Sequence, residues 1–255
     1  MGTQTKLAVI GILLAAGSMI QTASAADLVI LTNQGATPGV KELAAAFSRT
    51  SGHKVTVIQA EDGELERQMA GGAADLITQN PGPMQDLVKA GKVVGATVTP
   101  FVLAPLGVAV KAGAPKPDIS TPEKYKAALL AAKSIGYSRG CSGTNAGAGI
   151  AQLGLTEQLK AKTKFTGGAT GGPVTDYLKR GEFEIGIQQT NIMAGVPGVD
   201  FVGPVPAPLN KSCQSDVAVL AASKQAEPAR QFIRFMISPE AAPLLRKTHV
   251  EPFKR

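Results

Sequence analysis

The first clear pattern in the chain is a short apolar run followed by a helical repeat. Residues 28–31 form an apolar run of the length of one buried strand, and residues 32–35 interrupt it with polar and turn-forming side chains. Val40, Leu43 and Phe47 then recur at intervals of three and four residues, which predicts an amphipathic helix. Free N–H groups and the dipole at such a helix start favour an anion. Loop 32–35 is therefore a candidate ligand site, although a plain turn explains it equally well.

The same alternation of strands and helices continues along the chain. Strand-like runs occur at residues 54–59, 73–79, 101–110, 134–137, 184–188, 199–202 and 216–221, and helical repeats occur at residues 64–70, 84–90, 122–132, 145–153, 156–161, 174–180, 227–236 and 240–247. This alternation predicts an α/β protein with mainly parallel sheets covered on both faces. Such sheets bind ligands at the carboxyl ends of their strands.

A second strand, loop and helix occur in the second half of the chain. Residues 134–137 are predicted as a strand, residues 138–144 as a polar, glycine-bearing loop and residues 145–153 as a helix. Residues 188–191 add four neutral hydrogen-bonding side chains at another strand end, where a capped turn is the alternative. Two such loops, one in each half, can hold one ligand between them.

The N-terminal segment has the features of a secretory signal. Lys6 provides a positive start, residues 7–16 are mostly apolar, and residues 23–25 have the small-x-small cleavage pattern. Residues 1–25 are therefore excluded from the fold, and we expect a soluble, exported chain that begins at Ala26. No later run approaches the roughly 20 apolar residues of a membrane helix.

The charge of the chain argues against a nucleic-acid partner. Removing residues 1–25 leaves 230 residues and takes away Lys6, so the formal net charge falls from +7 to +6. The basic residues are spread out and are not interleaved with aromatic residues, which is typical of a solvated surface. A positive field still attracts an anion.

The two cysteines favour one disulfide. Cys141 and Cys213 lie in an exported chain, where disulfides persist, and two free thiols are the alternative. Catalysis by either thiol is less favoured, because the histidines that could serve as its base, His53 and His249, lie in a turn and near the tail.

The order of several weak motifs resembles a known family. The run 181–186, the glycine- and proline-bearing strand 199–206 and the segment 232–240 near the end resemble periplasmic solute-binding proteins of the type II fold, especially the molybdate-binding group. The resemblance implies two Rossmann-like lobes with a ligand cleft between them, and C-terminal helices that return to the first lobe. The lobes would be residues 26–107 with 213–255, and residues 108–212.

The resemblance also implies a set of ligand-binding residues, a location and a partner. The implied contacts are Thr32, Asn33, Gln34, Gly35, Asp62, Gly63, Ser142, Gly143, Thr144 and Gln189. The protein is expected to be a periplasmic monomer that delivers its ligand to an ABC permease in the inner membrane. We also expect the Cys141–Cys213 pair to join the loop of the second lobe to the returning crossover.

One departure from the family pattern affects the expected ligand. Residues 61–63 are Glu-Asp-Gly, where molybdate binders usually carry small hydroxyl residues, and two carboxylates repel a dianion. The sequence therefore predicts a small anion, an oxyanion or small carboxylate, held mainly by N–H groups and neutral donors. Three alternatives remain. The ligand is molybdate or tungstate itself, or it has a cationic part near Glu61 or Asp62, or the protein presents its ligand to a membrane sensor. Catalysis by Glu61, Asp62 or Glu64 is less favoured, and no metal or cofactor is expected.

Overall fold

A computed structural model describes residues 25–59, 67–69, 71–166 and 172–254, and it arranges their strands in two sheets. The first sheet contains β1 (Asp27–Thr32), β2 (Lys54–Gln59), β3 (Leu76–Gln79), β4 (Thr99–Ala104), β10 (Cys213–Val219) and β11 (Glu251–Pro252), in the order β11-β4-β10-β3-β1-β2. The second contains β5 (Leu106–Lys111), β6 (Ile135–Tyr137), β7 (Thr163–Phe165), β8 (Ile185–Gln189) and β9 (Val199–Pro204), in the order β7-β6-β8-β5-β9.

Helices cover both faces of the first sheet. They are α1 (Thr37–Ser51) and α2 (Pro81–Lys89), with α8 (Ala226–Met236) and α9 (Ala241–Lys247) from the end of the chain. The buried side of α1 packs with α8, and the Phe47 ring lies 5.0 Å from that of Phe232. The C-terminal helices therefore return to the first lobe, as the resemblance implied.

The second sheet is covered in the same way. Its helices are α3 (Pro122–Ala131), α4 (Cys141–Gln152), α5 (Thr156–Leu159), α6 (Val174–Arg180) and α7 (Thr190–Met193). Buried side chains of α3, α4 and α5 fill the core on one face, and those of α6 and α7 fill the core on the other. The two-lobe α/β prediction is confirmed.

The predicted single strand 101–110 is wrong, because the chain changes sheets in its middle. β4 ends at Ala104, β5 begins at Leu106, and Pro105 lies between them. Proline has no N–H to donate to a ladder, and the Pro105 carbonyl accepts instead from the Thr190 N–H, at 2.8 Å. Pro105 is the first crossing between the lobes.

The second crossing, residues 205–212, is bound to the first by one side chain. The Asn210 carboxamide accepts from the Leu106 N–H and donates to the Leu106 carbonyl, each at 2.9 Å. It also donates to the Val205 carbonyl, at 2.9 Å. The two crossings are therefore held side by side.

Both sheets are mixed, which corrects the expectation of mainly parallel sheets. β1 pairs in parallel with β2 and β3, and β6 pairs in parallel with β7 and β8. β10 lies antiparallel between β3 and β4, and β5 lies antiparallel between β8 and β9. The two antiparallel strands, β10 and β5, each directly follow a crossing between the lobes. The crossing therefore sets the direction of the strand, and a covering helix does not.

The predicted signal lies almost wholly outside the described residues, which begin at Ala25. Within the part of the chain that the structure describes, no helix combines the length and apolar character that a membrane span requires.

Replacement of Asn210 by alanine should destabilise the protein. The variant leaves the buried Leu106 N–H without its acceptor, so the free energy of unfolding should fall by about 1–3 kcal/mol in urea denaturation. Lys211→Ala, at the exposed neighbouring position, is the matched control and should leave stability near that of the parent. Equal stability of the two variants would show that the Asn210 bonds do not hold the crossings together.

Candidate functional site

Polar side chains lie at the carboxyl ends of the central strands of the first lobe. Asn33 follows β1, and its backbone N–H donates to the Thr78 hydroxyl at 3.2 Å. The Thr78 hydroxyl donates to Asn33 Oδ1 at 2.9 Å, and Asn33 Nδ2 donates to the Ser215 hydroxyl at 3.2 Å. Strands β1, β3 and β10 thus fix the orientation of the Asn33 side chain.

The first-lobe loop touches the second lobe directly. Gln188 Nε2 donates to Gln34 Oε1 at 3.2 Å, and Asn191 Nδ2 donates to the Gly35 carbonyl at 2.8 Å. A Cβ atom at Gly35 would lie only 2.8 Å from Gln189 Nε2, so a larger residue here would require the end of the Gln189 side chain to shift. The strand ends 33–35 and 188–191 therefore face each other across the lobes.

The second lobe presents a helix start at the same edge. α4 begins at Cys141, so Ser142, Gly143 and Thr144 lie in its first turn and not in the loop that the sequence predicted. Gly140 is extended ahead of the helix, and the Thr144 N–H already donates to the Gly140 carbonyl at 3.0 Å. This early start depends on local packing, which the pattern of hydrophobic residues does not indicate. The first N–H groups of α4 have no acceptor within the helix, which suits an anion.

The turn before α4 is tightly built. The hydroxyls of Ser138 and Ser142 are buried and lie 2.8 Å apart. A Cβ atom at Gly143 would collide with the Ser138 carbonyl group, so that position requires a glycine. The geometry of this helix start therefore depends on Gly143.

The remaining predicted site residues lie in different surroundings. Thr32 is fully buried, and its hydroxyl lies 2.6 Å from that of Thr37 and donates to the Ile58 carbonyl at 3.4 Å. Thr144 is exposed on α4. Asp62 and Gly63, together with Glu61, lie outside the described residues.

The sequence analysis missed two polar residues on β10. Ser215 contacts Asn33, and the neighbouring Asp216 is buried and accepts a hydrogen bond from Gln214 Nε2 at 2.7 Å. Burial raises the pKa of the Asp216 carboxyl, and the Gln214 bond offsets part of that rise. The available signal was an acid directly before the apolar run 217–220.

The predicted disulfide is confirmed. Cys141 and Cys213 are bonded, with 6.0 Å between their Cα atoms. Cys141 is the first residue of α4 and Cys213 is the first residue of β10, so the bond links the two lobes beside the second crossing. Asn145 Nδ2 adds a hydrogen bond to the Lys211 carbonyl, at 3.0 Å. The helix start is thereby tied to the crossing.

Comparisons with known proteins agree with this architecture. Residues 28–251 match the family model described as bacterial extracellular solute-binding protein. An aconitate isomerase from a Pseudomonas species is 27% identical over 253 residues, covering 96% of this chain and 95% of the relative.

Two solved structures show the same fold at low identity. The periplasmic molybdate-binding protein of Azotobacter vinelandii superposes with a TM-score of 0.69 at 18% identity, covering 89% of this chain and 99% of the other. The sulfate-binding protein SubI of Mycobacterium tuberculosis gives 0.69 at 22% identity, covering 90% of this chain and 88% of the other.

Two glycines of α4 provide a matched test of the tight turn. Gly143→Ala should lower the free energy of unfolding by about 1–3 kcal/mol, because the new methyl group strikes the Ser138 carbonyl. Gly147→Ala, where a Cβ meets open space in the same helix, should raise it by about 0.5–1 kcal/mol. Urea denaturation measures both, and equal effects of the two substitutions would contradict the packing described for Gly143.

The raised pKa of Asp216 predicts a specific pH dependence of the protein's stability. Because its pKa is raised in the folded state, the folded protein gains stability from the protonated carboxyl and loses it as the pH rises through the folded pKa. Asp216→Asn should therefore be more stable than the parent at pH 7, and the difference should shrink as the pH falls toward 4. Melting temperatures across this range measure the effect, with the exposed Asp86→Asn as control. A difference that does not change with pH would contradict it.

Proposed function

Because the chain belongs to the family of bacterial extracellular solute-binding proteins, we propose that it captures a small anionic solute between its lobes and delivers it to an ABC permease in the inner membrane. The observation that carries the proposal is the direct meeting of two strand-end regions from different lobes, through the Gln34–Gln188 and Gly35–Asn191 hydrogen bonds. A solute held there contacts both lobes at once.

The donors near this meeting point are suited to an anion. α1 and α4 both begin beside it. The start of α4 offers N–H groups and the positive end of a helix dipole. α1 contributes mainly its dipole, because the Thr37 N–H already donates to the Asn33 carbonyl and Pro38 has no N–H. Neutral hydroxyls and amides surround them. In this proposal the ligand contacts are Asn33, Gln34, Gly35, Ser142, Gly143 and Gln189, with Asp62 and Gly63 from the loop after β2. Buried Thr32 supports the first loop through Thr37, and exposed Thr144 lies at the rim.

The ligand in this proposal is a small carboxylate, with a tetrahedral oxyanion as the competing choice. The curated relative acts, by its name, on aconitate, a tricarboxylate, and it aligns with 96% of this chain. The names of two fold neighbours point to molybdate and sulfate, at lower identity. The pair Glu61 and Asp62 disfavours a compact dianion more than a larger carboxylate whose charges are spread out.

The proposed cycle places the protein in the periplasm, with Ala26 as the first residue after signal cleavage. The moving units are close to the predicted ranges, residues 26–107 with 213–255 and residues 108–212, except that Leu106 and Gly107 lie in β5 and belong to the second unit. Pro105 and residues 205–212 form the hinge region, beside which the Cys141–Cys213 bond lies.

A second candidate function is isomerisation of the bound carboxylate, which the aconitate isomerase relative favours. Moving a double bond along a carbon chain requires a group that takes and returns a proton. The hydroxyls and amides described above are weak bases, so Glu61 and Asp62 are the candidates for that role.

A ligand screen of the mature protein, residues 26–255, tests both functions. Thermal shift followed by calorimetry should give binding of cis-aconitate, trans-aconitate or citrate, and weaker or no binding of sulfate, molybdate, amino acids and sugars. Absence of binding to every anion would overturn the proposed function. Proton NMR of the bound compounds over time then distinguishes binding from turnover, and loss of turnover in Glu61→Gln or Asp62→Asn would identify the base.

Two glycine substitutions locate the binding site in the same screen. Gly35→Ala inserts a methyl group against Gln189 and should weaken ligand binding several-fold, because it displaces the Gln189 side chain, a proposed ligand contact. Gly82→Ala, at the start of α2 where a Cβ meets open space, should leave the affinity unchanged. Equal affinities in both variants would place the ligand away from the strand ends.

A further inference from the structure

An arginine at the proposed site has no carboxylate partner among the residues that the structure describes. Arg139 belongs to the turn between β6 and α4, two residues before the helix begins, and its side chain is exposed. Among the described residues no carboxylate lies within ion-pair distance of it. Its positive charge is therefore available to a ligand.

Aromatic side chains hold this guanidinium in place. The Arg139 Cζ atom lies 4.8 Å from the centroid of the Phe165 ring, and the Phe165 ring meets the Tyr137 ring edge-on at 5.1 Å. Phe165 is 46% exposed, an unusual position for a phenylalanine, and a cation over its face gives that exposed ring a role. We call Tyr137 and Phe165 the aromatic shelf. The shelf reduces the entropy that Arg139 loses when it binds an anion.

Sheet direction places this arginine at the edge that faces the first lobe. β6 and β7 run parallel to β8, so their carboxyl ends lie on the same edge of the sheet as Gln188. Gln188 contacts Gln34 of the first lobe. Arg139 follows β6 and Phe165 ends β7, so both lie along the edge where the two lobes meet.

A second stacked arginine in the same lobe shows the contrast. Arg180 lies 4.5 Å from the Tyr177 ring centroid, but it also forms an ion pair with Glu182. It is the last residue of α6, ahead of β8, so it lies toward the opposite edge of the sheet. The charge of Arg180 is paired with Glu182 and lies far from the meeting point. The charge of Arg139 lies beside a helix start, and no described carboxylate pairs with it.

We propose that Arg139 binds a second carboxylate of the ligand while the start of α4 binds the first, so that the site selects di- and tricarboxylates over single-centre anions. This inference rests on the proposed function. A guanidinium offers a planar pair of donors that matches a carboxylate, and hydrogen bonds between charged partners are the stronger ones. A tetrahedral oxyanion places its charge at one centre and cannot occupy both positions.

Calorimetry on the mature, disulfide-bonded protein tests the proposal with defined probes. Tricarballylate and cis-aconitate are the polycarboxylates, and acetate and sulfate are the single-centre anions. Arg139→Gln should lose about tenfold or more in affinity for the polycarboxylates, and the remaining affinity should depend less on salt. Its affinity for the single-centre anions should change little. Arg139→Lys should recover part of the loss, since it keeps the charge without the planar fork.

Arg180→Gln is the matched control, because it removes one stacked positive charge from the same lobe. It should bind polycarboxylates like the parent. Equal losses in the Arg139 and Arg180 variants would reduce the effect to net charge and overturn the inference. Parent-like affinity of Arg139→Gln for tricarballylate would overturn it while the proposed function stands, and absence of anion binding by the parent would overturn both.

Discussion

The chain passes between its two sheets twice, and the bonds that join those passages are the constraint on which the rest of the structure depends. Asn210 ties the second crossing to Leu106, next to the first, and the Cys141–Cys213 bond fixes the start of α4 to the strand that follows the second. The Asn210 bonds lie beside the crossings, and the disulfide joins the two lobes at the start of α4, directly before Ser142. Both keep the relation of the lobes near the crossings, which limits the conformations that a ligand must select.

This constraint brings polar side chains of the two strand ends into contact with each other. Gln188 is bound at once by Gln34 of the other lobe, by the Gly172 carbonyl and by the Val174 N–H. These bonds satisfy the Gln188 amide, and a buried amide left without partners would cost free energy. Two neighbouring buried oxygens, Thr190 Oγ1 and Asn191 Oδ1, have no partner among the described residues. In the proposed function, a ligand that enters here replaces the Gln34–Gln188 contact with its own hydrogen bonds.

Local sequence patterns predicted the elements that depend on local contacts. The strand, loop and helix at residues 28–47 follow from the apolar spacing alone, and β2 has the predicted bounds. The break at Pro105 and the antiparallel direction of β10 could not be predicted in this way, because both depend on which sheet receives the next strand. The early start of α4 depends on how closely Gly143 approaches Ser138. The sequence did not indicate Arg139 for a related reason. Its aromatic partner Phe165 is distant in sequence, and the two side chains meet because β6 and β7 pair.

The balance of charge around the strand ends is suited to reversible capture. Several full ion pairs in a partly dry cleft would hold a polyanion too tightly for transfer to a second protein, because charges interact strongly where water is excluded. Neutral amides, hydroxyls and helix N–H groups supply orientation at a lower energy per contact. In the proposed function, the exposed Arg139 guanidinium adds attraction that water and salt partly screen, so it favours a polycarboxylate without preventing its release. Recognition in this proposal therefore combines the geometry of neutral donors with a screened charge.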